Sequence, residues 1–276
     1  RGTLARESVV HHAPLLVAAE VREIEGAEKS VNTVLSLATA ITPEWLQELF
    51  PEDVKEELHV SYDPTTRRVW AEVQRQFRDL LLTSRRIEPP PAEPAARLLA
   101  AEVKAGRLPL PQWDDQVDAW LRRLDLLCRQ CPELELPPVT AADRHHLIEQ
   151  ICQGAISFKE LKERPVRPVV ESWLSAPQRA LLDQHAPERV NLGNGRQPKV
   201  VYPEDGTPYI AVRIQELYEV ETTPRIAMNR VPLVVHILAP NQRPVQITQD
   251  LAGFWREHYP RVKQELQRRY PKHAWR

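Results

Sequence analysis

The first third of the chain alternates apolar and polar residues with the two-residue period of β-strands. Apolar runs at 14–21 and 31–41 predict two strands with a polar turn between them. A turn is expected at Asp63-Pro64-Thr65-Thr66, and the alternation over 69–73 predicts a half-exposed strand after it. One short helix is expected to open at Pro43. Several strands with one short helix in about 75 residues are typical of a small closed barrel of the OB type.

The middle third carries the 3.6-residue period of helices. A Pro-rich stretch at 87–94 predicts a stiff linker, and a helix is expected from there to Gly106. Asp114 and Asp115 open the next predicted helix, where carboxylates meet the positive end of the helix dipole. Its apolar positions recur at i, i+3, i+4 and i+7. They are Val117, Trp120, Leu121, Leu124, Leu127 and Cys128. The helical pattern continues to 186 and predicts a connector of short antiparallel helices.

The last third returns to strands and ends in helices. Asn194-Gly195 predicts a hairpin with a type I′ turn, and a second hairpin is expected about 240–243. Two short amphipathic helices are expected at the end, the first capped by Asp250 and the second opened by Pro260. Their apolar faces consist of Leu251, Phe254 and Trp255 in the first, and of Val262, Leu266 and Tyr270 in the second.

These patterns predict an α+β fold in three domains. We expect an OB-like β-rich domain over 1–88, a helical connector over 89–186, and a C-terminal α+β domain with β-hairpins and terminal helices over 187–276. No stretch approaches the ~20 apolar residues of a membrane span. The chain opens with RGTLARESVV, which has neither an initiator Met nor the apolar core of a signal peptide, and it holds three Cys. We therefore expect a cytoplasmic fragment of a longer gene product.

Charge is distributed unevenly, although the net charge is only -1. Residues 1–90 carry 11 Lys and Arg against 15 Asp and Glu, a net of -4, and 91–186 carry 12 against 14, a net of -2. Residues 187–276 carry 14 against 9, a net of +5, and from Thr222 onward the balance is 10 against 3, or +7. A local excess of this size is typical of a phosphate-binding surface. It is equally compatible with a solvated basic surface.

Motifs for independent catalysis are absent. No Gly is followed by Lys, which excludes a Walker A loop, and no G-x-S-x-G, H-E-x-x-H or G-x-G-x-x-G occurs. These absences indicate that this stretch is not itself an ATPase, hydrolase or dehydrogenase. Cys128, Cys131 and Cys152 with His145 or His146 could supply a Cys₃His zinc set. Because Cys128 belongs to the apolar face of its helix, we expect no metal.

The end of the chain, QDLAGFWREHYPRVKQELQRRYPKHAWR, mixes aromatic rings with cations. Trp255 and Tyr270 could stack bases while the cations contact phosphates, a mixture typical of single-strand binding. In the alternative interpretation, Phe254, Trp255 and Tyr270 occupy the core-facing positions of their helices. We favour core positions for the rings, with the cations either functional or only solvating.

The string RVPLVVHILAPNQRPVQITQDLAGFWREHYPRVKQELQRRYPKHAW strongly resembles the C-terminal end of bacterial HrpB-type ATP-dependent helicases, in the DEAH branch of superfamily 2. The family run S/APxxRPxQxTxDLAGFW, a basic helix and RYPKHxW are all present, and IAVRIQELYEVETTPRI matches the upstream family pattern. LPLPQWDDQVDAWLRRLDLL and ISFKELKERPVRPVVESWL resemble weaker connector motifs of the same region, and the N-terminal strands match the OB-like domain that follows the helicase core. The resemblance spans nearly the whole chain. Met228-Asn229 departs from the family, where relatives tend to have a Gly pair.

The resemblance implies a parent protein that hydrolyses ATP, with ATP and Mg bound in a helicase core outside this sequence, and that moves along or unwinds nucleic acid. No catalytic residue and no cofactor site can be carried over to this stretch. The expected partners are nucleic acid, with single-stranded RNA favoured, and the helicase core of the same parent.

Two hypotheses for the stretch itself remain. The first is an accessory nucleic-acid-binding module, and the second is a scaffold that docks the core or a separate protein partner without touching nucleic acid. The +7 balance after Thr222 favours the first, and the -4 of the first third favours the second for that domain. The candidate nucleic-acid-binding residues are Arg225, Arg230, Arg243, Arg256, Arg261, Lys263, Arg268, Arg269 and Lys272.

Overall fold

A computed structural model describes residues 2–25 and 31–276 of the chain. The fold is α+β, as expected, and it divides into two compact units, residues 1–95 and 96–276. Residues 96–186 of the predicted helical connector and the predicted C-terminal domain thus lie in one compact unit, whereas 89–95 fall in the first unit. The division of the chain into three domains at 88/89 and 186/187 stays a prediction.

The first unit consists of six strands and one short helix. The elements are β1 (Thr3–Leu4), β2 (Leu16–Glu25), β3 (Val31–Ala40), α1 (Pro43–Leu49), β4 (Val54–Asp63), β5 (Arg68–Phe77) and β6 (Leu80–Ile87). Pairing is antiparallel between β2 and β3, between β4 and β5, and between β5 and β6, whereas β1 pairs parallel with β3. The predicted strands and the helix that opens at Pro43 are therefore confirmed.

The expected closure into an OB-like barrel is not confirmed. The strands form two three-stranded sheets, in the orders β1-β3-β2 and β4-β5-β6, and no ladder joins these sheets within the described residues. Alternation predicts the strands and the faces that they bury, but it does not specify how edge strands pair, and closure depends on that pairing.

Side-chain hydrogen bonds stabilise the described turn between β4 and β5. The Asp63 carboxylate accepts hydrogen bonds from the Thr65 main-chain nitrogen at 2.9 Å and from the Thr66 hydroxyl at 2.7 Å, which confirms the predicted turn. The turn expected between β2 and β3 falls on residues 26–30, outside the described residues. Val69 and Ala71 on the central strand β5 are fully buried, so the alternation there points to the core as expected.

The second unit begins with helices that start and stop where the sequence indicates. They are α2 (Ala92–Lys104), α3 (Asp115–Gln130), α4 (Ala141–Cys152), α5 (Phe158–Leu161), α6 (Arg167–Glu171) and α7 (Ala176–His185), with a 3-10 turn at Pro132–Leu134. The Asp114 carboxylate caps α3 by accepting from the main-chain nitrogens of Gln116 and Val117, each at 3.0 Å. Gly106, with φ +71°, follows the end of α2.

A mixed four-stranded sheet follows the helices, in the order β12-β11-β8-β7. Its strands are β7 (Val200–Val201), β8 (Tyr209–Arg213), β11 (Val234–Leu238) and β12 (Pro244–Thr248), and β9 (Arg225–Ile226) pairs with β10 (Val231–Pro232) beside a 3-10 turn at Ile214–Leu217. The hairpin about 240–243 is confirmed by the antiparallel pairing of β11 with β12. Backbone pairing also closes a hairpin at Asn194-Gly195, but positive φ occurs at Gly193 and Gly195 and not at Asn194. The type I′ assignment was therefore wrong.

Three consecutive residues without glycine adopt the left-handed conformation in the turn between β9 and β10. Ala227, Met228 and Asn229 have φ values of +51°, +55° and +64°. Side chains adopt this region at a steric cost that glycine does not carry. The turn is fixed by its own packing, because the Ala227 main-chain nitrogen donates to the His185 carbonyl at 2.7 Å and Ala227 is fully buried.

The chain ends in one nearly continuous helical segment. It comprises α8 (Leu251–Gly253), a π-helical stretch (Phe254–His258) and α9 (Tyr259–Arg269). The two predicted helices are thus joined, and the extra residue per turn of the π-helical stretch lies at the position where they were expected to separate. Among the described residues, no helix combines the length and the apolar character that a membrane crossing requires.

Candidate nucleic-acid interface

The helical tail starts at a cap that depends on Asp250 and Gly253. The Asp250 carboxylate accepts from the Gly253 main-chain nitrogen at 2.9 Å, and its own main-chain nitrogen donates to the Thr248 hydroxyl at 2.9 Å. A Cβ atom at Gly253 would collide with the Asp250 carboxylate. The Asp-Leu-Ala-Gly sequence therefore suits this cap, which directs Leu251 and Phe254 into the core.

The aromatic rings of the tail serve the fold. Phe254 is 1% exposed, and Trp255 is half-buried with its indole nitrogen donating to the Val220 carbonyl at 2.8 Å. The half-buried Trp275 donates through its indole nitrogen to the Tyr270 carbonyl at 3.0 Å. The interpretation of Phe254, Trp255 and Tyr270 as core-facing positions therefore agrees with the structure. Trp255 and Tyr270 are only half-buried, so their base-stacking role stays an untested alternative.

The cations of the tail point away from that core. Arg256, Arg261, Arg268, Arg269 and Lys272 are exposed, and Lys263 is half-buried. Arg261 and Arg268 are seven residues apart on α9, so they lie on one face of the helix, separated by about 10 Å along its axis. The structure thus turns the rings inward and this basic face outward.

The tail cations are not neutralised within the part of the chain that the structure describes. None of the six forms an ion pair with a carboxylate there, although Arg269 lies over the Tyr270 ring at 5.9 Å. Residues 256–272 hold these six cations against Glu257 and Glu265, a net of +4. We call this group (Arg256, Arg261, Lys263, Arg268, Arg269 and Lys272) the basic face.

Two other predicted residues are already engaged inside the protein. Arg230 pairs with Glu133 at 2.6 Å and donates to the Gln130 carbonyl at 2.6 Å, and this contact lowers the pKa of Glu133. Arg225 donates to the main-chain carbonyls of Asn229 at 2.7 Å and Arg230 at 3.2 Å. Both guanidinium groups therefore hold the fold together. Arg243 is exposed in the turn between β11 and β12, apart from the tail in sequence.

The first unit contains an aromatic–cationic cluster that the sequence pattern did not predict. The Trp70 ring on β5 has the Arg68 guanidinium at 4.6 Å and the Arg86 guanidinium at 4.0 Å from its centroid. Arg68 and Trp70 share a strand face because they are two residues apart, but the approach of Arg86 depends on the register of β5 with β6. The i, i+2 spacing of Arg68 and Trp70 could have indicated their contact from sequence. The register of β5 with β6, which brings Arg86 to the Trp70 ring, could not be read from sequence.

The cysteines are separate from any polar cluster suited to a metal. Among residues 2–25 and 31–276, no three His, Cys, Asp or Glu side chains converge in a way that could hold a metal ion. Cys131 and Cys152 are buried, and the Cys128 thiol lies 3.4 Å from the Leu136 carbonyl. Cys128 is half-buried on α3, which is compatible with the interpretation that it belongs to the apolar face of that helix.

Thiol reactivity is expected to differ among the three cysteines. Burial raises the pKa of Cys152 to about 12, and burial also raises the pKa of Cys131 and of Cys128. Because the thiolate is the reactive form, only the half-buried Cys128 should react with a disulfide reagent within minutes at pH 8 in the native protein. Cys128→Ser should remove this fast phase, and urea should restore labelling at the other two. Three fast equivalents in native protein would contradict this burial.

Comparisons with known proteins identify the family. Residues 147–276 match the family model of the HrpB C-terminal domain, described as ATP-dependent helicase C-terminal. The chain is 38% identical over 160 residues to the ATP-dependent RNA helicase HrpB of Escherichia coli strain K12, an alignment that covers 55% of this chain and 20% of that protein.

Two solved structures support the same relationship. The crystal structure of the E. coli DExH-box NTPase HrpB matches with a TM-score of 0.66 and 26% identity over 95% of this chain and 32% of that one. The crystal structure of the Escherichia coli DEAH/RHA helicase HrpB matches with a TM-score of 0.60 and 25% identity over 99% and 34%. The chain thus spans a fifth of the curated relative and a third of the solved chains. Residues 147–276 therefore match the HrpB helicase C-terminal family, and the comparisons together support an HrpB-type helicase C-terminal fragment.

Proposed function

We propose that this chain is an accessory module of an ATP-dependent RNA helicase, in which the basic face contacts the phosphates of single-stranded nucleic acid. The observation that carries the proposal is the basic face itself, a net of +4 over 256–272 with no ion pair among the described residues. Exposed cations without internal partners are the groups that phosphates can recruit by counterion release.

The nine predicted residues have two different roles in this proposed function. The basic face and Arg243 contact phosphate, whereas Arg225 and Arg230 support the scaffold on which β9, β10 and the helices meet. Catalysis belongs to the parent's helicase core, which holds ATP and Mg, and this chain contributes binding and packing. The E. coli relative is an ATP-dependent RNA helicase, and this supports RNA as the substrate class.

Packing against the helicase core is proposed for the first unit, whose strands we still expect to act as an OB-like domain. Most of the exposed large apolar side chains lie there, including Val21, Leu37, Trp45 and Leu49. Exposed apolar surface of this kind is typical of an interaction site. The three cysteines are free, which supports the cytoplasm as the compartment.

The same apolar residues favour the second candidate function, a protein-interaction scaffold with no direct nucleic-acid contact. The two functions predict different effects on binding affinity when the charges of the basic face are removed. A scaffold would bind the separately expressed helicase core or another protein, and it would keep that affinity when the basic face is neutralised.

Neutralising two cations of the basic face is expected to weaken RNA binding. Arg268→Gln with Arg269→Gln should lower affinity for single-stranded RNA at low salt and flatten the slope of log K against log salt by about 1.4, because each single-strand phosphate contact contributes about 0.7. Sequence preference should not change, since phosphate contacts do not read bases. Fluorescence anisotropy of labelled RNA at several salt concentrations measures both quantities.

A matched control separates contact from overall charge. Lys159→Gln with Lys162→Gln removes the same two charges at exposed positions on and next to α5, and it should leave the slope unchanged. Equal binding and slope for wild type and the Arg268/Arg269 variant would make the basic face a solvated surface. The scaffold function would then take precedence.

A further inference from the structure

A pocket of about 490 Å³ lies beside the tail helix, and the chemistry of its lining differs from that of the basic face. It is lined by the segment Tyr218–Glu221 and by Ala252, Trp255, Arg256, Tyr259 and Arg276. Apart from Arg276, the charged lining groups are Glu219 and Glu221 against Arg256, a net of -1. This lining is mainly aromatic and slightly acidic, which differs from a phosphate site.

Three rings form inclined walls of this pocket. The Trp255 and Tyr259 centroids are 4.8 Å apart at 77°, Tyr218 and Tyr259 are 6.3 Å apart at 71°, and Tyr218 and Trp255 are 6.1 Å apart at 40°. Mutually inclined rings present several π faces to one point, as in the aromatic cages that bind organic cations.

The chain's own residues 274–276 already contact the walls of the site. The Arg276 guanidinium lies 5.6 Å from the Tyr218 ring centroid and pairs with the Glu219 carboxylate. The Tyr259 hydroxyl donates to the Arg276 main-chain oxygen at 2.8 Å, and the Tyr218 hydroxyl donates to the Ala274 carbonyl at 3.3 Å. The pocket thus contacts both a cationic side chain and main-chain oxygens of the same segment.

The Tyr259 hydroxyl keeps its proton at physiological pH. Burial and the neighbouring Tyr218 hydroxyl raise the pKa of Tyr259 above its ordinary value. Glu219 adopts a left-handed conformation, with φ +71°, that places its carboxylate at the rim. Donors for peptide carbonyls and an acceptor for a guanidinium are therefore both built into the site.

We propose that this pocket binds an arginine-containing extended peptide of a protein partner, and that residues 274–276 are its displaceable intramolecular occupant. The Tyr218 and Tyr259 hydroxyls recognise main-chain carbonyls two residues apart, and the Tyr218 face with Glu219 recognises the guanidinium. This inference goes beyond the proposed RNA contact and does not depend on it.

Vacating the pocket should expose the peptide site to a partner in trans. A fluorescein-labelled peptide Lys-His-Ala-Trp-Arg, identical to residues 272–276, serves as the probe in an anisotropy titration. Arg276→Ala frees the Tyr218 ring face and Glu219 but keeps the main-chain contacts of 274–276, so it should bind the probe about three- to fivefold more tightly than wild type, the effect of one exposed ion pair. Because the Arg276 side chain is 65% exposed, the core should survive its removal, and Arg276→Gln provides a second variant.

The chemical contacts are tested in the Arg276→Ala background. Adding Glu219→Gln should weaken probe binding by about three- to fivefold, the effect of one exposed ion pair. Adding Glu257→Gln, which lies on the tail helix but outside the pocket lining, should leave probe binding unchanged. A probe with Gln in place of its last Arg should lose affinity to a similar extent. Short single-stranded RNA should fail to displace the probe.

Three results would overturn the proposal. One is equal probe binding by wild type and by folded Arg276→Ala and Arg276→Gln variants. Another is equal affinity for the Arg and Gln probes, and the third is displacement of the probe by RNA, which would make the pocket a nucleotide site. The salt-slope experiment on Arg268 and Arg269 can fail or succeed independently of all three.

Discussion

Phe254→Ala is expected to lower the free energy of unfolding by about 3–5 kcal/mol, the range for removing a buried aromatic ring. Phe254 is 1% exposed, and its ring lies 5.1 Å from Trp255 and 6.2 Å from Tyr259. Truncation would leave a cavity at the junction of α8 with the π-helical stretch and remove both ring contacts. Urea unfolding followed by circular dichroism gives the change in midpoint.

The control for this prediction uses an exposed apolar residue of the same unit. Ile247 on β12 is 56% exposed, so Ile247→Ala should cost well under about 1 kcal/mol. Leu251, fully buried one turn before Phe254, should behave like Phe254, with a loss of about 2–5 kcal/mol. An unchanged midpoint for Phe254→Ala would place this face in solvent and return Trp255 to the surface as a base-stacking ring.

The elements of the fold could be predicted from local pattern. Capping by Asp114 and Asp250, the start of α1 at Pro43 and the hairpin about 240–243 each depend on residues within a few positions of one another. Local interactions of this kind are encoded in short sequence windows. For the same reason the inward position of the tail rings followed from helical spacing alone.

Features that depend on long-range pairing could not be predicted in this way. The ion pair of Arg230 with Glu133 joins residues 97 positions apart, so its formation could not be predicted from local sequence. The stacking of Arg86 on Trp70 needs the register of β5 with β6, and barrel closure needs the pairing of edge strands.

The peptide pocket was hidden for a related reason. Tyr218 and Tyr259 are 41 positions apart, and Arg276 contacts Glu219 from 57 positions away. In sequence, Arg276 counted only as one more positive charge in a basic tail. In the structure that charge is neutralised by Glu219, so the tail carries a basic face and an aromatic pocket of no net charge, and Arg256 borders both.

Arg123→Ala is expected to destabilise the second unit by about 3 kcal/mol, near the lower limit for breaking a buried ion pair. The Arg123 side chain is 3% exposed and donates to the Ala186 carbonyl at 2.6 Å, to Asp183 at 2.6 Å and to Glu188 at 3.4 Å. Alanine would leave the buried Ala186 carbonyl without this donor and open a cavity in α3. The carboxylates of Asp183 and Glu188 are largely exposed, so water replaces the lost cation there and limits the cost.

Arg123→Met separates the charge from the packing of the side chain. Methionine keeps most of the apolar volume and loses only the hydrogen bonds, so a smaller loss of about 1–2 kcal/mol is expected. Because Arg123 joins α3 to the segment 183–188, across the predicted boundary at 186/187, its removal also tests that boundary. One cooperative urea transition that shifts as a whole in Arg123→Ala would mean that helices and sheet unfold together. Two separate transitions, with only the transition of the helices shifted, would favour an independent domain over 187–276. A wild-type midpoint for Arg123→Ala would show that this guanidinium does not stabilise the unit.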